Sequence, residues 1–245
     1  MFRERRVSTN FLNHFSITGH MLKSDFHMHS NYDTGKIVLP YKFPELIKYC
    51  AKSRYEVLSI TNHDKLFYNS SLHDYAKKHG ILLIPGCERT IEGKHVLLIN
   101  IAAELLNKIK TFDDLEKHKG ENMVVIAPHP YYPWFNALHS KLEENINLFD
   151  AIEYSHFYLS YINFNKKAKE IAKKHGLPLV GTSDVHDLSQ LNYTYTLLDC
   201  NKKVDDVLEA IRKNQLKLKT KPVSTRGIAN ILFKMTISNR FKKIL

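Results

Sequence analysis

NKKAKEIAKKHGLPLVGTSDVH, residues 165–186, decides the fold. Its first part reads as a helix. Gly176 stops that helix after a Lys-Lys-His run whose charge complements the helix C-terminus. Pro178 follows, and residues 179–181 form a short buried strand. Directly past that strand stand Asp184 and His186, two residues apart and so projecting together. Helix, stop, strand and then polar residues at the strand's C-terminal end is the unit from which β/α barrels build their sites.

Outward from this stretch the unit recurs. Short apolar, β-branched runs at 23–28, 57–61, 82–86, 96–101, 124–127 and 151–154 read as further strands. Helical patterns cover 44–53, 70–79, 111–118, 162–175 and 204–214, with Pro44 in a first turn and Gly80 as another stop. Such alternation predicts a parallel sheet wrapped by helices. An open doubly wound sheet is the alternative, but the chain has no GxGxxG or P-loop pattern to line a nucleotide crevice. A closed barrel with its site at the C-terminal strand ends fits the polar residues better.

Those polar residues form a series. In Asp25-Phe-His27-Met-His29, period two turns all three polar side chains to one side. Two imidazoles can then chelate one ion, while Asp25 orients an imidazole from behind. His63 follows the strand at 57–61. Glu88 follows Pro85-Gly86, where Gly86 permits a tight bend and the carboxylate offers two oxygens for bridging ions. His95 follows a Glu92-Gly93 turn, and His129 sits between Pro128 and Pro130. Singly, each has an ordinary structural explanation. Jointly they place a nitrogen or oxygen ligand at the same point of successive β/α units. A donor set without thiolate suits zinc, manganese or iron.

Composition bounds the rest. At 43% apolar residues the 245-residue chain can bury a substantial core. No apolar run approaches the roughly 18 residues of a membrane-spanning helix. The N-terminus has no signal-peptide pattern, so residues 1–20 read as a disordered leader, with Met21 as an alternative start. Cys50, Cys87 and Cys200 form no CxxC pair. They read as buried thiols of a cytoplasmic protein. Of the net charge of +11, residues 217–245 carry +8 and residues 1–20 carry +2. The barrel domain at 21–216 is therefore near neutral. The basic tail, 217–245, has a helical pattern; it either solubilises the chain, docks on the barrel or contacts nucleic acid or an anionic membrane.

The ordered motifs DFHMHS, ITNHD, IPGCE, the His95 strand, APHP and GTSDVH resemble the PHP family, named for polymerase and histidinol phosphatase. AIEYSHF at 151–157 fits the same pattern, and the stretch through LNYTYTLLD to Asn214 resembles the PHP-associated C-terminal segment. The resemblance implies a distorted (β/α)7 barrel holding two or three divalent metal ions. By motif, His27, His29, Glu88 and Asp184 hold one ion, and Glu88, His95 and His129 hold a second. His63 and His186 hold the third with a residue from the loop after His29. Relatives read HS-x-x-SDG in that loop. This chain reads HSNYDTG, so Asp33 stands one place early and Thr34 occupies the usual position.

The implied activity is hydrolysis of phosphomonoesters or phosphodiesters of a small molecule or nucleotide. A metal-bound hydroxide beside Glu88 is the expected nucleophile, Asp184 and His186 are catalytic, and Arg89 and His156 contact substrate. Tyr131, Tyr132, Trp134 and Phe135 either stack a base or cap the barrel. Cys87 is a poor nucleophile candidate, since no base accompanies it. A nuclease using the same ions is one alternative. A non-catalytic RNA-protein scaffold, as in PHP-like ribonuclease P subunits, is another.

Overall fold

The computed structural model describes residues 19–33, 39–231 and 233. Thr34, residues 1–18 of the leader and most of the tail beyond 231 lie outside the described residues. The chain runs β1 (Leu22–Met28), α1 (Phe43–Lys52), β2 (Val57–Ile60), α2 (Ser70–Lys78), β3 (Leu82–Ile91), β4 (Lys94–Ile99), α3 (Ala103–Leu106), α4 (Phe112–His118), β5 (Val124–Ala127), α5 (Ser140–Glu144), β6 (Ala151–Ser155), α6 (Asn165–His175), β7 (Leu179–Thr182), β8 (Thr194–Leu198), α7 (Val204–Arg212) and β9 (Leu216–Thr220). Gly176 ends α6 in the left-handed conformation, φ 67°, as a C-terminal stop requires.

The nine strands among the described residues form one sheet in the order β7-β6-β5-β4-β3-β2-β1-β8-β9. The sheet curls into a nearly closed barrel. Its direction departs from the uniform alternation read from the sequence. β1, β2 and β3 are parallel, as are β5, β6 and β7, but β4 runs antiparallel to both its neighbours. The reason is the length of one connection. Only Glu92 and Gly93 separate β3 from β4, which suffices for a hairpin and not for a crossover helix. β8 and β9 are also antiparallel additions. The segment beginning at 217 therefore starts inside a strand of the sheet, since Leu216–Thr220 pairs with β8. A helical stretch follows at 225–231.

The barrel's seam lies between β7 and the β1–β8 pair. Gly181 donates its N–H to Thr196 Oγ1 at 2.8 Å, and that hydroxyl donates to the Gly181 carbonyl at 3.0 Å. A Cβ on Gly181 would overlap the Leu218 side chain and come within 2.8 Å of the Tyr195 carbonyl. Gly86 is likewise a matter of close approach. It lies within β3, and a Cβ there would strike Ser59 of β2, so its role is contact between strands and not the tight bend expected for it.

Among the described residues, buried side chains sort into three apolar clusters. The inner one takes Leu22 and Phe26 from β1, Val57, Ile84, Leu97, Ile99, Val124, Ile126, Ala151, Val180 and Leu198 from successive strands, and Val207, Leu208, Ala210 and Ile211 from α7. The inward faces of eight strands thus meet one face of α7, which plugs the barrel. Met28, by contrast, packs with α1, Leu58 and Ile60 in an outer cluster. Phe26 and Met28 are two apart yet belong to different clusters. A register shift between Asp25 and Met28 is responsible. This bulge overturns the expectation that Asp25, His27 and His29 share a face. It re-aims the two histidines, which is a recurrent use of bulges beside sites.

Gly181→Ala should destabilise the protein by on the order of 1–3 kcal/mol, because the seam has no room for a methyl group. Gly120→Ala, where no neighbour lies within 4 Å, is the control and should be near neutral. Chemical denaturation of both variants decides; equal midpoints would refute this account of the seam.

Candidate metal centre

Glu88 is the hub. It is 1% exposed and projects from β3 into a ring of imidazoles drawn from four other strands or their ends. Its Oε1 lies 2.6 Å from His95 Nδ1 and 3.2 Å from His129 Nε2. Its Oε2 lies 3.1 Å from His63 Nε2, 3.3 Å from His27 Nε2 and 3.4 Å from His29 Nε2. Burial alone would raise this carboxyl. The charges of His27 and His95, with hydrogen bonds from His129 and His27, outweigh it and hold the group well below the usual value.

Asp184 closes the other side. One of its oxygens is 3.0 Å from His29 Nε2 and 3.4 Å from His27 Nε2. Burial raises it, but His27, His186 and His29 more than compensate, and it too lies well below its ordinary value. His186 Nδ1 donates to the Asp184 carbonyl at 2.9 Å, which leaves Nε2 with its lone pair. Burial and the neighbouring His29 lower the His186 pKa to about 4.

Two further carboxylates stand behind the imidazoles. Glu153, fully buried on β6, has Oε2 2.8 Å from His27 Nδ1. With Nδ1–H directed at Glu153, His27 turns Nε2 toward Glu88 and Asp184. Asp33 does the same for two rings at once. Its Oδ2 is 2.6 Å from His29 Nδ1 and 2.9 Å from His63 Nδ1, and Oδ1 accepts the His63 backbone N–H at 3.0 Å. Asp33 thus reaches the cluster despite its early place in the loop. It lies with His29 and His63, whereas His186 groups with His29 and Asp184. Carboxylate–imidazole pairs of this kind fix the tautomer and orientation of metal-binding histidines.

The backbone is strained where the side chains converge. His129 has φ +29° and Asp184 φ +44°, unusual values for residues with a Cβ. Pro128 and Pro130 flank the first.

All nine residues read as ligands from the sequence come together: His27, His29, Asp33, His63, Glu88, His95, His129, Asp184 and His186. Other expectations are corrected. Asp25 orients no imidazole; it accepts the backbone N–H of His27 at 3.2 Å and of Ser183 at 3.1 Å, tying the bulge to the chain past β7. Burial lifts its pKa to about 7. Arg89 alternates away from Glu88 along β3 and is held by Asp64 Oδ1 and the Ile109 carbonyl, both at 2.8 Å. In line with the reading of Cys87 as a poor nucleophile, burial pushes its thiol well up. Cys200 is half-buried, unlike Cys50 and Cys87. Trp134 packs 5.0 Å from the His129 ring. The sequence reading passed over Glu153, whose signal was an acid inside the buried strand AIEYS. It also passed over Gln190, third after Asp187 in a capping-box pattern.

The donor set fits divalent cations. Five groups of three His, Asp or Glu ligand atoms lie within 4.8 Å of one another among the described residues. His27 Nε2 is buried between Glu88 and Asp184, 3.3 Å and 3.4 Å from their oxygens, and His129 turns Nε2 to Glu88, so these ring nitrogens face the cluster. Imidazole and carboxylate donors without thiolate suit borderline divalent ions.

Comparisons with known proteins find similarity in sequence and in fold. Residues 163–216 match the family model described as PHP-associated. The chain is 27% identical over 166 residues to the uncharacterized protein MJ1587 of Methanocaldococcus jannaschii, a match covering 62% of this chain and 95% of that one. Its fold is similar to that of a two-domain protein from Bacteroides vulgatus described as containing a predicted PHP-like metal-dependent phosphoesterase. The TM-score is 0.62 at 20% identity, over 90% of this chain and 69% of that one. It is also similar to PsfC from Pseudomonas syringae, with TM-score 0.63 at 14% identity over 89% and 99% of the two chains.

Two outcomes are expected. Glu153→Gln should weaken manganese binding by about 10- to 100-fold, read by chelator competition, because His27 loses its charged anchor. An unchanged affinity would make Glu153 a bystander. Metal uptake should also release protons. Burial lowers the His29 pKa, but hydrogen bonding to Asp184 and Asp33 wins and raises it from 6.5 to about 9. An entering ion must displace that proton. Apparent affinity should therefore climb as pH rises between those values, and calorimetric titrations in buffers of different ionisation enthalpy should show proton release. Zero release at neutral pH would contradict the assignment.

Proposed function

We propose that the chain is a PHP-family, metal-dependent phosphoesterase hydrolysing a small phosphorylated molecule. The observation that carries the reading is the Glu88 hub, a fully buried carboxylate with five imidazole nitrogens within 3.4 Å. A scaffold protein has no need to bury an ionised carboxylate among histidines, since that burial is costly unless the group is used or matched.

His27, His29, Glu88 and Asp184 would hold one divalent ion, and Glu88, His95 and His129 a second. His63 and His186 adjoin His29 on a third position. Bound ions of zinc, manganese or iron would supply Lewis acidity, polarising a phosphoryl oxygen and lowering the pKa of water. The chain's own contribution is placement. Glu88 offers both oxygens from one rigid strand, and would serve both positions with them. Glu153 and Asp33 take the Nδ1 protons of three histidines and leave their Nε2 atoms directed inward. Asp184 stays ionised beside His29 and His27. His186, with Nδ1 donated to a carbonyl, presents a neutral Nε2. The phosphoester would enter across the strand ends, where Trp134, Tyr132 and Phe157 form one aromatic wall.

Manganese- or zinc-loaded protein should hydrolyse members of a panel of phosphomonoesters, nucleotides and short DNA and RNA oligomers. Glu88→Gln should bring turnover to background. The best substrate separates a phosphatase from a nuclease. No turnover from folded, metal-loaded protein on any panel member would reject the hydrolase reading and leave the RNA-protein scaffold.

A further inference from the structure

His156 lies just past the C-terminal end of β6. β6 is the strand between β5, which leads to His129, and β7, which leads to Asp184. The side chain is buried, 2% exposed, and its contacts settle where its proton sits. Gln190 is the key. Its Oε1 accepts two backbone N–H groups, from His186 at 2.6 Å and Asp187 at 2.7 Å. That capping-box geometry fixes which end of the amide is oxygen, because an amide nitrogen cannot accept from either N–H. The Gln190 NH2 must then be the end that faces His156 Nε2, at 3.3 Å. Facing a donor, Nε2 must carry the lone pair. In a neutral imidazole the hydrogen is then on Nδ1.

That Nδ1–H is buried and has no hydrogen-bond partner among the described residues. A buried donor left unpaired costs about 1–3 kcal/mol, so its retention calls for an acceptor that arrives later. The neighbouring strand ends carry the centre to which a phosphoester would bind.

We infer that His156 is a substrate-contact residue, a neutral imidazole that donates Nδ1–H to a phosphoryl oxygen, and that Gln190 is the positioning residue that fixes this tautomer. The inference rests on the phosphoesterase reading for its ligand. It goes beyond that reading in assigning an atom, a tautomer and a device that holds it. Burial lowers the His156 pKa to about 4, in keeping with a group that stays neutral and donates without handing over its proton. The hydroxyls and amides that bind phosphate elsewhere act in the same way. Gln190 also binds the backbone of His186, so the loop carrying that histidine and the donor just past β6 are aligned by one side chain.

The first measurement is 15N NMR of histidine-labelled, metal-loaded protein, with zinc as the diamagnetic ion and inorganic phosphate as the probe. His156, assigned by its absence in His156→Ala, should read as neutral with the proton on Nδ1. Phosphate should shift that Nδ1–H resonance. Gln190→Glu places an acceptor opposite Nε2 and should move the proton to it. His156→Ala should keep its full metal content and weaken phosphate binding, and on any substrate turned over should lower kcat by about 10²-fold. An Nε2-protonated ring in the wild type, a resonance indifferent to bound phosphate, or loss of metal in His156→Ala would each overturn the proposal. The NMR readouts need no turnover, so failure of the phosphoesterase reading shows in the hydrolysis panel and failure of this inference shows in the spectra.

Discussion

One buried negative charge organises the molecule. An ionised carboxylate in a barrel interior is far more costly than in water unless opposite charge and hydrogen bonds surround it. Glu88 is surrounded by nitrogens from β1, the loop beyond β2, β4 and the loop beyond β5. No single β/α unit contains that environment. It exists only when the sheet curls, which makes the polar layer a consequence of closure as well as its purpose. The apolar layer beneath it, stoppered by α7, keeps water from the other end.

The carboxylates divide their work by which imidazole nitrogen they face. Glu88 and Asp184 lie on the inner side of the rings, while Glu153 and Asp33 hold Nδ1 from behind. A histidine gripped at one nitrogen has little freedom left at the other, so the inner geometry is set before any ligand arrives. Positive φ angles at His129 and Asp184 belong to the same economy of placement. Strain of roughly 1–3 kcal/mol per residue persists only where the surroundings overdetermine the conformation.

His27, His29, His63, His129, Asp184 and His186 were legible because each stands at or beyond the C-terminal end of a recognisable apolar strand, where a polar side chain has few structural reasons to recur; Glu88 sits inside β3 and His95 opens β4. Gly176 and the Glu92-Gly93 turn were legible for equally local reasons. What escaped was non-local. The bulge in β1 is invisible in DFHMHS, since period two gives a tidy but wrong face for Asp25. Leu216–Thr220 alternates leucine and lysine as an edge strand does, yet its charge led to its assignment to a basic tail. Arg89 follows a ligand motif in sequence, and strand alternation carries it to Asp64 instead. Glu153 and Gln190 act on residues more than thirty positions away, or on the far side of the seam, and no local pattern announces such partners.

The seam itself has a dynamic meaning. β7 meets the β1–β8 pair through a handful of bonds: Gly181 with Thr196, the Asp25 carboxylate with the Ser183 amide, and an isolated bridge from Met28 to Val185. A junction so sparsely bonded is where a barrel would breathe, with exchange of its amides faster than in the continuous ladders. Yet the groups on either side of it, His27 and His29 on one and Asp184 on the other, are those that would share an ion. Occupancy would then act as a reversible cross-link, so that the site's loading and the barrel's local opening become a single equilibrium.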